Sequence, residues 1–282
     1  MNNFWNAQNH TGMSRVMITG ATGGLGKAFA VECASRGWNL YLTDLRPDLL
    51  ETLAVNLRQT YRVRVDWQAS DLTDPNSRAE LIRQAAEDRA PFSALINVAG
   101  VDFEGPFFDQ SPQQIRTIIR LNVEGTLDMI RGMLPLRDPL APFRIINVAS
   151  LAGFYPMPVK ATYAASKRFL LDFSLALRNE LRADGVTVTA LCPAGMPTNA
   201  ECIDAIEAQG LLGQLTTCNT GSVANETLNA ALRGRAVVIP GGLNRFLQAA
   251  GSLLPGVWVA ELVGWRWKAA RRKRFAQNPA AA

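Results

Sequence analysis

Residues 16–26 read Val-Met-Ile-Thr-Gly-Ala-Thr-Gly-Gly-Leu-Gly, a short apolar run that leads into four glycines within seven positions. Residues 16–19 have the composition of a buried strand, and a helical pattern begins at residue 25. Glycines at a strand-to-helix turn let the backbone approach a pyrophosphate, and the helix N-terminus favours its negative charge. The stretch therefore predicts a dinucleotide-binding turn that opens an α/β domain.

Apolar, β-rich runs alternate with longer helical patterns along the rest of the chain. The predicted strands are residues 16–19, 39–43, 63–67, 94–98, 144–148, 186–192 and 236–239. The predicted helices are residues 25–37, 47–60, 75–89, 111–134, 160–183 and 221–233. Such alternation is typical of βαβ units with a parallel sheet covered on both faces. The predicted fold class is therefore α/β: a single doubly wound, Rossmann-type parallel sheet of about seven strands with helices on both faces.

The same pattern divides the chain into three parts. We expect an N-terminal lead at 1–13, a Rossmann-type catalytic domain at 14–242, and a helical extension with a basic tail at 243–282. Residues from about 193 to 221 fit no regular element, and their apolar side chains suit a lid over a substrate. Two short amphipathic helices packed on the core are the alternative for this segment, and the two descriptions are compatible.

The composition is that of a globular protein with few residues for metal chemistry. The 282 residues are 48% hydrophobic and 19% charged, with four cysteines and one histidine, His10. The cysteines lack Cys-x-x-Cys spacing, so neither a zinc site nor a disulfide framework is indicated, and we expect no metal. Because His10 lies in a polar terminus, a Ser-His-Asp triad is disfavoured. We expect a cytoplasmic location, since the first residues do not resemble a signal peptide.

The positive charge is concentrated near the end of the sequence. Residues 266–274 carry six cationic side chains, and without them the net charge of +5 becomes −1. Nucleic-acid binding by the main body is therefore disfavoured. The aromatic, basic segment at 255–275 suits the surface of an anionic membrane, but packing on the body or on a partner subunit is the preferred interpretation.

An acidic residue ends the second predicted strand. Asp44 follows Gly26 by 18 residues, where a carboxylate accepts hydrogen bonds from an adenosine ribose and repels a 2′-phosphate. This position predicts NAD(H) in preference to NADP(H). The guanidinium of Arg46, two residues further on, weakens that preference because it could accommodate a phosphate.

Three further residues suggest proton transfer. Ser150 ends the fifth predicted strand, and ligands bind at the carboxyl ends of strands in an open α/β sheet. Tyr163 and Lys167 are four residues apart on a predicted helix and share one face. A free tyrosine has a pKa near 10, and a neighbouring ammonium would lower it toward neutrality.

These residues belong to an ordered set of motifs. The set consists of Thr-Gly-x-x-x-Gly-x-Gly from residue 19, Asn-Val-Ala-Gly from residue 97, Asn122, Ser150, and Tyr-x-x-x-Lys from residue 163. Over residues 14–240 the chain resembles the short-chain dehydrogenase/reductase family. In overall sequence it is most similar to the bacterial hydroxysteroid dehydrogenases of that family, particularly the 20β type.

The resemblance implies catalytic roles for Asn122, Ser150, Tyr163 and Lys167. Tyr163 would exchange a proton with the substrate oxygen, and Ser150 would hydrogen-bond the same oxygen. Lys167 would lower the pKa of Tyr163 and bind the nicotinamide ribose, while Asn122 would hold a water that links Lys167 to solvent. A homodimer or homotetramer built partly on helices 111–134 and 160–183 is also implied.

The turn and the family pattern together assign the residues that hold the cofactor. They are Thr19, Gly20, Thr22, Gly23, Gly24, Leu25, Gly26, Asp44, Asp71, Leu72, Asn97, Ala99, Gly100, Tyr163, Lys167, Pro193 and Thr198. Asp71 is expected to contact the adenine. Residues 192–198 read Cys-Pro-Ala-Gly-Met-Pro-Thr, with the glycine one place later than the family pattern, which weakens the assignment of Thr198.

The residues near the presumed carbonyl site suggest a large, weakly polar substrate. This pocket is assigned to Ser150, Phe154, Tyr155, Met157 and Met196, while Asp102 and Glu104 are interpreted as solvated loop acids. The resulting hypothesis is an NAD(H)-dependent oxidoreductase that interconverts a ketone and a secondary alcohol, with a 20β-type hydroxysteroid dehydrogenase favoured. The alternatives are a 3-oxoacyl reductase, a sugar or polyol dehydrogenase, and, more remotely, an NAD-sensing protein without turnover.

Overall fold

The computed structural model describes residues 14–87, 89–196 and 216–265, which contain a single seven-stranded sheet. Its strands are β1 Arg15–Thr19, β2 Asn39–Asp44, β3 Val65–Ala69, β4 Phe92–Asn97, β5 Phe143–Val148, β6 Val186–Leu191 and β7 Val237–Val238. They lie in the order β3-β2-β1-β4-β5-β6-β7, and every neighbouring pair is parallel. The predicted Rossmann-type α/β fold is confirmed.

The third strand begins two residues later than predicted. Residue 62 is an arginine in the left-handed conformation (φ 55°) that ends the preceding helix, and the chain then runs through a short connection. The side chain of Asn39 accepts the N–H of Arg64, and pairing with β2 starts at Val65, opposite Leu40. The apolar Val63 therefore packs on the core without joining the ladder.

Eight α-helices have assigned bounds in the described residues. They are α1 Gly24–Ser35, α2 Pro47–Tyr61, α3 Pro75–Glu87, α4 Pro112–Ile118, α5 Thr126–Met133, α6 Ala161–Glu180, α7 Thr220–Leu232 and α8 Gly242–Gly251. Residues 256–265 are also helical. The predicted helix at 111–134 is interrupted, because Ile119–Gly125 between α4 and α5 is π-helical. π-Helical turns inside α-helices are frequent at functional sites.

Helices cover both faces of the sheet, as the burial of β1 shows. All five residues of β1 are buried; Val16 and Ile18 face a core shared with α1, α2 and α7, while Met17 faces a core shared with α3 and α5. A strand buried on both faces is apolar throughout instead of alternating. The continuous apolar run of the first strand is therefore explained by its central place in the sheet.

The strand order reverses direction between β1 and β4, and such a switch point opens a crevice at the carboxyl ends of the strands. The residues that end β1, β2, β4 and β5 are Thr19, Asp44, Asn97 and Val148, so the sequence-predicted site residues gather at this edge. No helix within the described ranges is long and apolar enough to cross a membrane.

Several sequence predictions lie outside the described residues. These are the N-terminal lead at 1–13 with His10, residues 197–215 of the predicted lid with Thr198, and the basic tail at 266–282.

Candidate active site

The glycine turn between β1 and α1 is built for close contact of backbone with backbone. A Cβ atom on Gly26 would lie 2.0 Å from the carbonyl oxygen of Gly20, so any side chain there would separate α1 from the turn. Gly20 has φ +63°, and a Cβ on it would lie 2.8 Å from Ala99. The first N–H groups of α1, which have no partner within the helix, open at this turn. The turn therefore fits a pyrophosphate.

The end of β1 also fixes the loop that follows β4. The hydroxyl oxygen of Thr19, which is buried, accepts the N–H groups of Val98 at 3.1 Å and Ala99 at 3.2 Å. Thr19 and Ala99 line a narrow indentation together with Leu72 and Asn97. Four of the predicted cofactor residues therefore meet at one place.

Asp44 and Arg46 both reach the glycine turn. One carboxylate oxygen of Asp44 accepts the N–H of Thr22 at 2.9 Å, and the other accepts the N–H of Leu45 at 2.7 Å. The guanidinium of Arg46 donates to the hydroxyl of Thr22 at 3.1 Å. A carboxylate that repels a 2′-phosphate and a cation that attracts one thus lie beside the same threonine.

Asp71 and Leu72 follow β3 on the same edge. The carboxylate of Asp71 accepts the N–H and the hydroxyl of Thr73, each at 2.8 Å, while Leu72 is buried. Asp71 itself is exposed. The side chain of Asp71 holds the turn that leads into α3. Leu72, the next residue, borders the crevice.

A buried amide chain links the two central strands to α6. Asn97 donates from Nδ2 to Oδ1 of Asn147 at 2.9 Å, and Asn147 donates to the hydroxyl of Ser174 at 2.9 Å. Sequence reasoning missed Asn147 and Ser174. A polar residue in the middle of an apolar strand is a signal that could have identified Asn147, because a buried amide needs a partner.

Asn122 occupies the π-helical segment and is fully buried. Its Oδ1 accepts the N–H of Val101 at 2.9 Å, and its Nδ2 donates to the carbonyl of Val101 at 3.0 Å and to the hydroxyl of Ser166 at 3.1 Å. Ser166 in turn donates to the carbonyl of Tyr163 at 2.7 Å. Asn122 therefore connects the loop after β4 to the first turn of α6.

Tyr163 and Lys167 lie one turn apart on α6. The ammonium nitrogen of Lys167 is 5.7 Å from the centroid of the Tyr163 ring and donates to the carbonyl of Val148 at 2.8 Å. A Cβ on Gly100 would lie 3.2 Å from the same nitrogen, so this glycine leaves the space that the lysine fills. The predicted tyrosine–lysine pair and the Asn-Val-Ala-Gly loop are brought together.

Ser150 follows β5 and caps a short helical turn, Leu151–Phe154. Its hydroxyl oxygen accepts the N–H of Ala152 at 3.1 Å, and the N–H of Leu151 donates to the carbonyl of Pro193 at 2.8 Å. A Cβ on Gly153 would lie 2.9 Å from the backbone of Lys167, so this turn packs directly on α6. The serine is thereby held at the same end of the sheet as the tyrosine–lysine pair.

Burial shifts the pKa values of Lys167 and Cys192 in opposite directions. It lowers the pKa of Lys167 to about 8, an effect that the carboxylate of Asp102 partly offsets. Burial raises the pKa of the Cys192 thiol to about 12, so that this cysteine remains protonated and is a poor nucleophile. Among the described residues no cluster of His, Cys, Asp or Glu is suited to a metal ion.

A second lysine lies near the tyrosine and was not identified from the sequence. The ammonium of Lys160 is 5.8 Å from the Tyr163 ring centroid and forms ion pairs with Asp102 and, at 3.4 Å, with Glu104. Burial lowers its pKa, but the two carboxylates outweigh burial and the net pKa of Lys160 is raised. Asp102 and Glu104 are therefore ion-paired acids and not freely solvated ones, which corrects their sequence interpretation.

The residues assigned to the substrate pocket have other contacts. Phe154 packs on the small core of β6 and α6, and Met196 packs against the larger core. The hydroxyl of Tyr155 donates to the carbonyls of Leu247 and Gln248 in α8, both at 3.0 Å. The carbonyl of Met157 accepts the N–H of Lys160, at the turn that precedes α6.

Curated relatives match the part of the chain that carries this site. The chain is 36% identical over 180 residues to sulfoacetaldehyde reductase 2 of Chromohalobacter salexigens, which covers 63% of the chain and 71% of that relative. It is 31% identical to a very-long-chain 3-oxoacyl-CoA reductase of Laccaria bicolor, over 62% of the chain and 52% of that relative. The chain thus spans only about half the length of the second of these relatives.

Solved structures share the fold. A bulky-bulky ketone specific alcohol dehydrogenase from Comamonas testosteroni superposes with a TM-score of 0.71 and 27% identity, over 86% of this chain and 94% of that one. A short-chain dehydrogenase from Sphingobium yanoikuyae in complex with NADPH superposes with a TM-score of 0.71 and 28% identity, over 85% and 93% of the two chains. The family model of short chain dehydrogenase matches residues 14–203, which carry the glycine turn, Ser150, Tyr163 and Lys167. The protein therefore belongs to the short-chain dehydrogenase family of nicotinamide-dependent oxidoreductases that act on CH–OH groups.

Proposed function

We propose that the protein interconverts a ketone and a secondary alcohol, with Tyr163 as the proton donor and acceptor. The observation that carries the proposal is the buried ammonium of Lys167, 5.7 Å from the Tyr163 ring and in contact range of the loop at Gly100. Structural lysines are rarely buried without a carboxylate partner. A buried lysine beside a tyrosine, at the switch point of the sheet, favours an acid–base role.

The cofactor assignment rests on the glycine turn and on the strand ends around it. Residues 20–26 would hold the pyrophosphate, Leu72 and Asp71 would border the adenine, and Lys167 would bind the nicotinamide ribose. When bound, a nicotinamide cofactor supplies the hydride in reduction and accepts it in oxidation. The side chains of this protein would transfer the protons.

In reduction, the Tyr163 hydroxyl would give its proton to the substrate oxygen as charge develops there. The hydroxyl of Ser150 would donate a hydrogen bond to the same oxygen and orient it. A charged Lys167 stabilises the phenolate that remains, and its pKa of about 8 leaves it mostly protonated at neutral pH. Asn122 would keep Tyr163 in position through Ser166.

We propose NAD(H) as the preferred cofactor because the carboxylate of Asp44 lies at the predicted ribose position. The contact between Arg46 and Thr22 supports residual use of NADP(H), since this guanidinium would face a 2′-phosphate.

For the substrate we propose a bulky, weakly polar ketone, with a 20β-type hydroxysteroid favoured. The likeness to a dehydrogenase of bulky ketones supports this class. The relative that reduces very-long-chain 3-oxoacyl-CoA favours a second candidate, a 3-oxoacyl thioester. Sugars or polyols and a cofactor sensor without turnover remain the weaker alternatives.

We also propose a homodimer or homotetramer that uses the α4–α6 face. Two apolar side chains on these elements, Ile119 and Phe169, are 39% and 41% exposed. Apolar residues exposed together on neighbouring helices are typical of an interface.

The experiment is an NADH oxidation assay with keto-steroids, including a 20-keto corticosteroid, beside 3-oxoacyl thioesters and small ketones. We expect turnover of a steroid at low concentration. Turnover of only thioesters or polyols would reject the steroid assignment and retain the reaction class. If neither NADH nor NADPH is oxidised with any compound of the panel, the catalytic proposal is rejected.

A further inference from the structure

The C-terminal helices lie against the loop between Ser150 and Tyr163. The Tyr155 hydroxyl donates to two carbonyls of α8, and a Cβ on Gly251 would lie 2.7 Å from the ring of Tyr155. In the following helix, a Cβ on Gly264 would lie 3.2 Å from Pro158. One side of the pair formed by α8 and residues 256–265 is therefore occupied by the loop beside the site.

The other side of this pair is apolar and exposed. Half of the exposed large apolar side chains in the described residues, nine of 18, lie within residues 243–265, so the exposure is local and not a general property of the surface. Trp258 and Trp265 are 65% and 70% exposed. We call this the C-terminal apolar surface, defined by Phe246, Leu253, Val257, Trp258, Leu262 and Trp265.

Charge is nearly absent from this surface and abundant directly after it. Residues 243–265 contain only Arg245, which pairs with Glu226 at 3.3 Å, and Glu261. Residues 266–274 then carry six cations and no anion. A surface of tryptophan and aliphatic side chains joined to a basic segment is the composition of elements that lie on anionic bilayers.

The same charges disfavour self-association through this surface. Association of two copies would add a second set of six cations to the first, and like charges repel. The headgroups of an anionic bilayer have the opposite sign, and the bilayer interior accommodates exposed tryptophan and leucine side chains. Charge complementarity therefore selects a lipid surface over another copy of the chain.

We propose that the C-terminal apolar surface docks on anionic lipid bilayers, with residues 266–274 engaging the headgroups. Docking leaves the loop at 151–160 on the far side of these helices, separated from the membrane by their thickness, and it inserts no spanning helix. This interaction does not depend on the proposed enzymatic reaction.

Vesicle co-sedimentation of the full chain tests the proposal. The probes are vesicles of phosphatidylcholine alone and of phosphatidylcholine mixed equally with phosphatidylglycerol. We expect binding to the mixed vesicles that weakens between about 0.1 M and about 1 M salt, because the Debye length falls from about 10 Å to about 3 Å. Binding to pure phosphatidylcholine should be much weaker.

Two sets of variants separate the charge from the apolar contribution. The triple substitution R271Q/R272Q/R274Q should weaken partitioning on the order of 100-fold, since each cation near an anionic surface contributes a factor of about five. Its matched control is R182Q/R233Q/R235Q, three exposed arginines elsewhere, which should bind as the parent does. W258S should weaken binding at both salt concentrations, whereas L140S, at an even more exposed leucine outside the surface, should not.

The oligomeric state of each variant is measured in parallel. Failure of the parent chain to bind mixed vesicles overturns the proposal. It is equally overturned if W258S dissociates an oligomer and leaves vesicle binding unchanged, because the surface would then be an interface between copies. Retention of NADH oxidation by every variant would show that loss of binding is independent of the catalytic site.

Discussion

The side chain of Asn122 holds both backbone groups of Val101, accepting its N–H at 2.9 Å and donating to its C=O at 3.0 Å. The second N–H of the amide bonds Ser166, whose hydroxyl bonds the carbonyl of Tyr163. One buried amide thus couples the loop after β4, which borders the cofactor crevice, to the helix turn that carries the tyrosine. It lies in the π-helical segment and is fully buried.

Replacing Asn122 with Ala should lower both stability and turnover. The change leaves the N–H and the C=O of Val101 without the side chain that binds them, and a buried unsatisfied group costs about 1–3 kcal/mol. We expect the free energy of unfolding in urea to fall by about 2 kcal/mol, with a lower kcat. Asn56→Ala, at an exposed asparagine of α2, is the control and should change neither. Unchanged stability of the Asn122 variant would contradict the coupling.

Replacing Tyr163 with Phe should abolish turnover and preserve cofactor binding. Proton transfer by a positioned side chain contributes about 10²–10⁴-fold, so kcat should fall by at least about 10². NADH binding, followed by fluorescence titration, should stay within a few-fold of the parent. Tyr61→Phe, at the end of α2, is the matched control and should retain activity. Activity in the Tyr163 variant comparable to that of the parent would reject the mechanism.

Lys160 should influence the pH dependence of the reaction through its position near Tyr163. Lys160→Gln removes a cation 5.8 Å from the ring and leaves the carboxylates of Asp102 and Glu104 near the site. We expect the pH profile of kcat/KM for alcohol oxidation to move toward higher pH, because the phenolate is less stabilised. Lys160→Arg should restore the profile.

Arg168→Gln is the control for Lys160, since this cation lies on the same helix and pairs only within α6, with Asp172. It should leave the pH profile unchanged. An equal shift in both variants would mean that the effect is a general loss of positive charge and not the local pairing of Lys160.

Lys167 should make stability depend on pH above neutrality. Its pKa is about 8 in the folded chain against an ordinary 10.5, so the folded chain releases the proton first as pH rises. The cost of burying the charged form, about 3 kcal/mol at neutral pH, is therefore relieved between about pH 8 and about pH 10.5. Lys167→Met lacks this dependence.

Urea unfolding of parent and Lys167→Met at neutral and alkaline pH measures that difference. Other titrating groups are common to both chains and cancel in the comparison. The stability of the parent should rise relative to the variant by roughly 3 kcal/mol as the pH passes through this window. A difference that does not change with pH would show that the buried lysine keeps its ordinary pKa.

Exchange of charge at the ribose site should change cofactor preference. Arg46→Gln should lower kcat/KM for NADPH on the order of 10-fold and alter that for NADH little, because only a 2′-phosphate would meet the guanidinium. Asp44→Asn should shift the ratio toward NADPH, with some loss of stability, since both carboxylate oxygens accept backbone N–H groups. The test compares kcat/KM for the two cofactors; an unchanged ratio in both variants would place the discrimination elsewhere.

The linear order of elements and the identity of the main motifs could be predicted from the sequence because both depend on local patterns. The apolar run of residues 16–19 and the glycines after it predict a strand, a turn and a helix without reference to any distant residue. Even so, β3 begins at Val65 and not at residue 63, since ladder pairing with β2 and not apolarity decides where a strand starts.

Contacts between distant residues were decided only by the tertiary structure. The π-helical segment around Asn122 has the same apolar spacing as a regular helix, so that periodicity does not distinguish the two. The ion pair of Lys160 with Asp102 joins residues 58 positions apart, and the hydroxyl of Tyr155 meets α8 more than 90 positions away. The sequence by itself determined which chemistry is present, because residue types and local spacing carry it. The fold alone decided which partners surround each group, because burial and pairing arise only when distant segments meet.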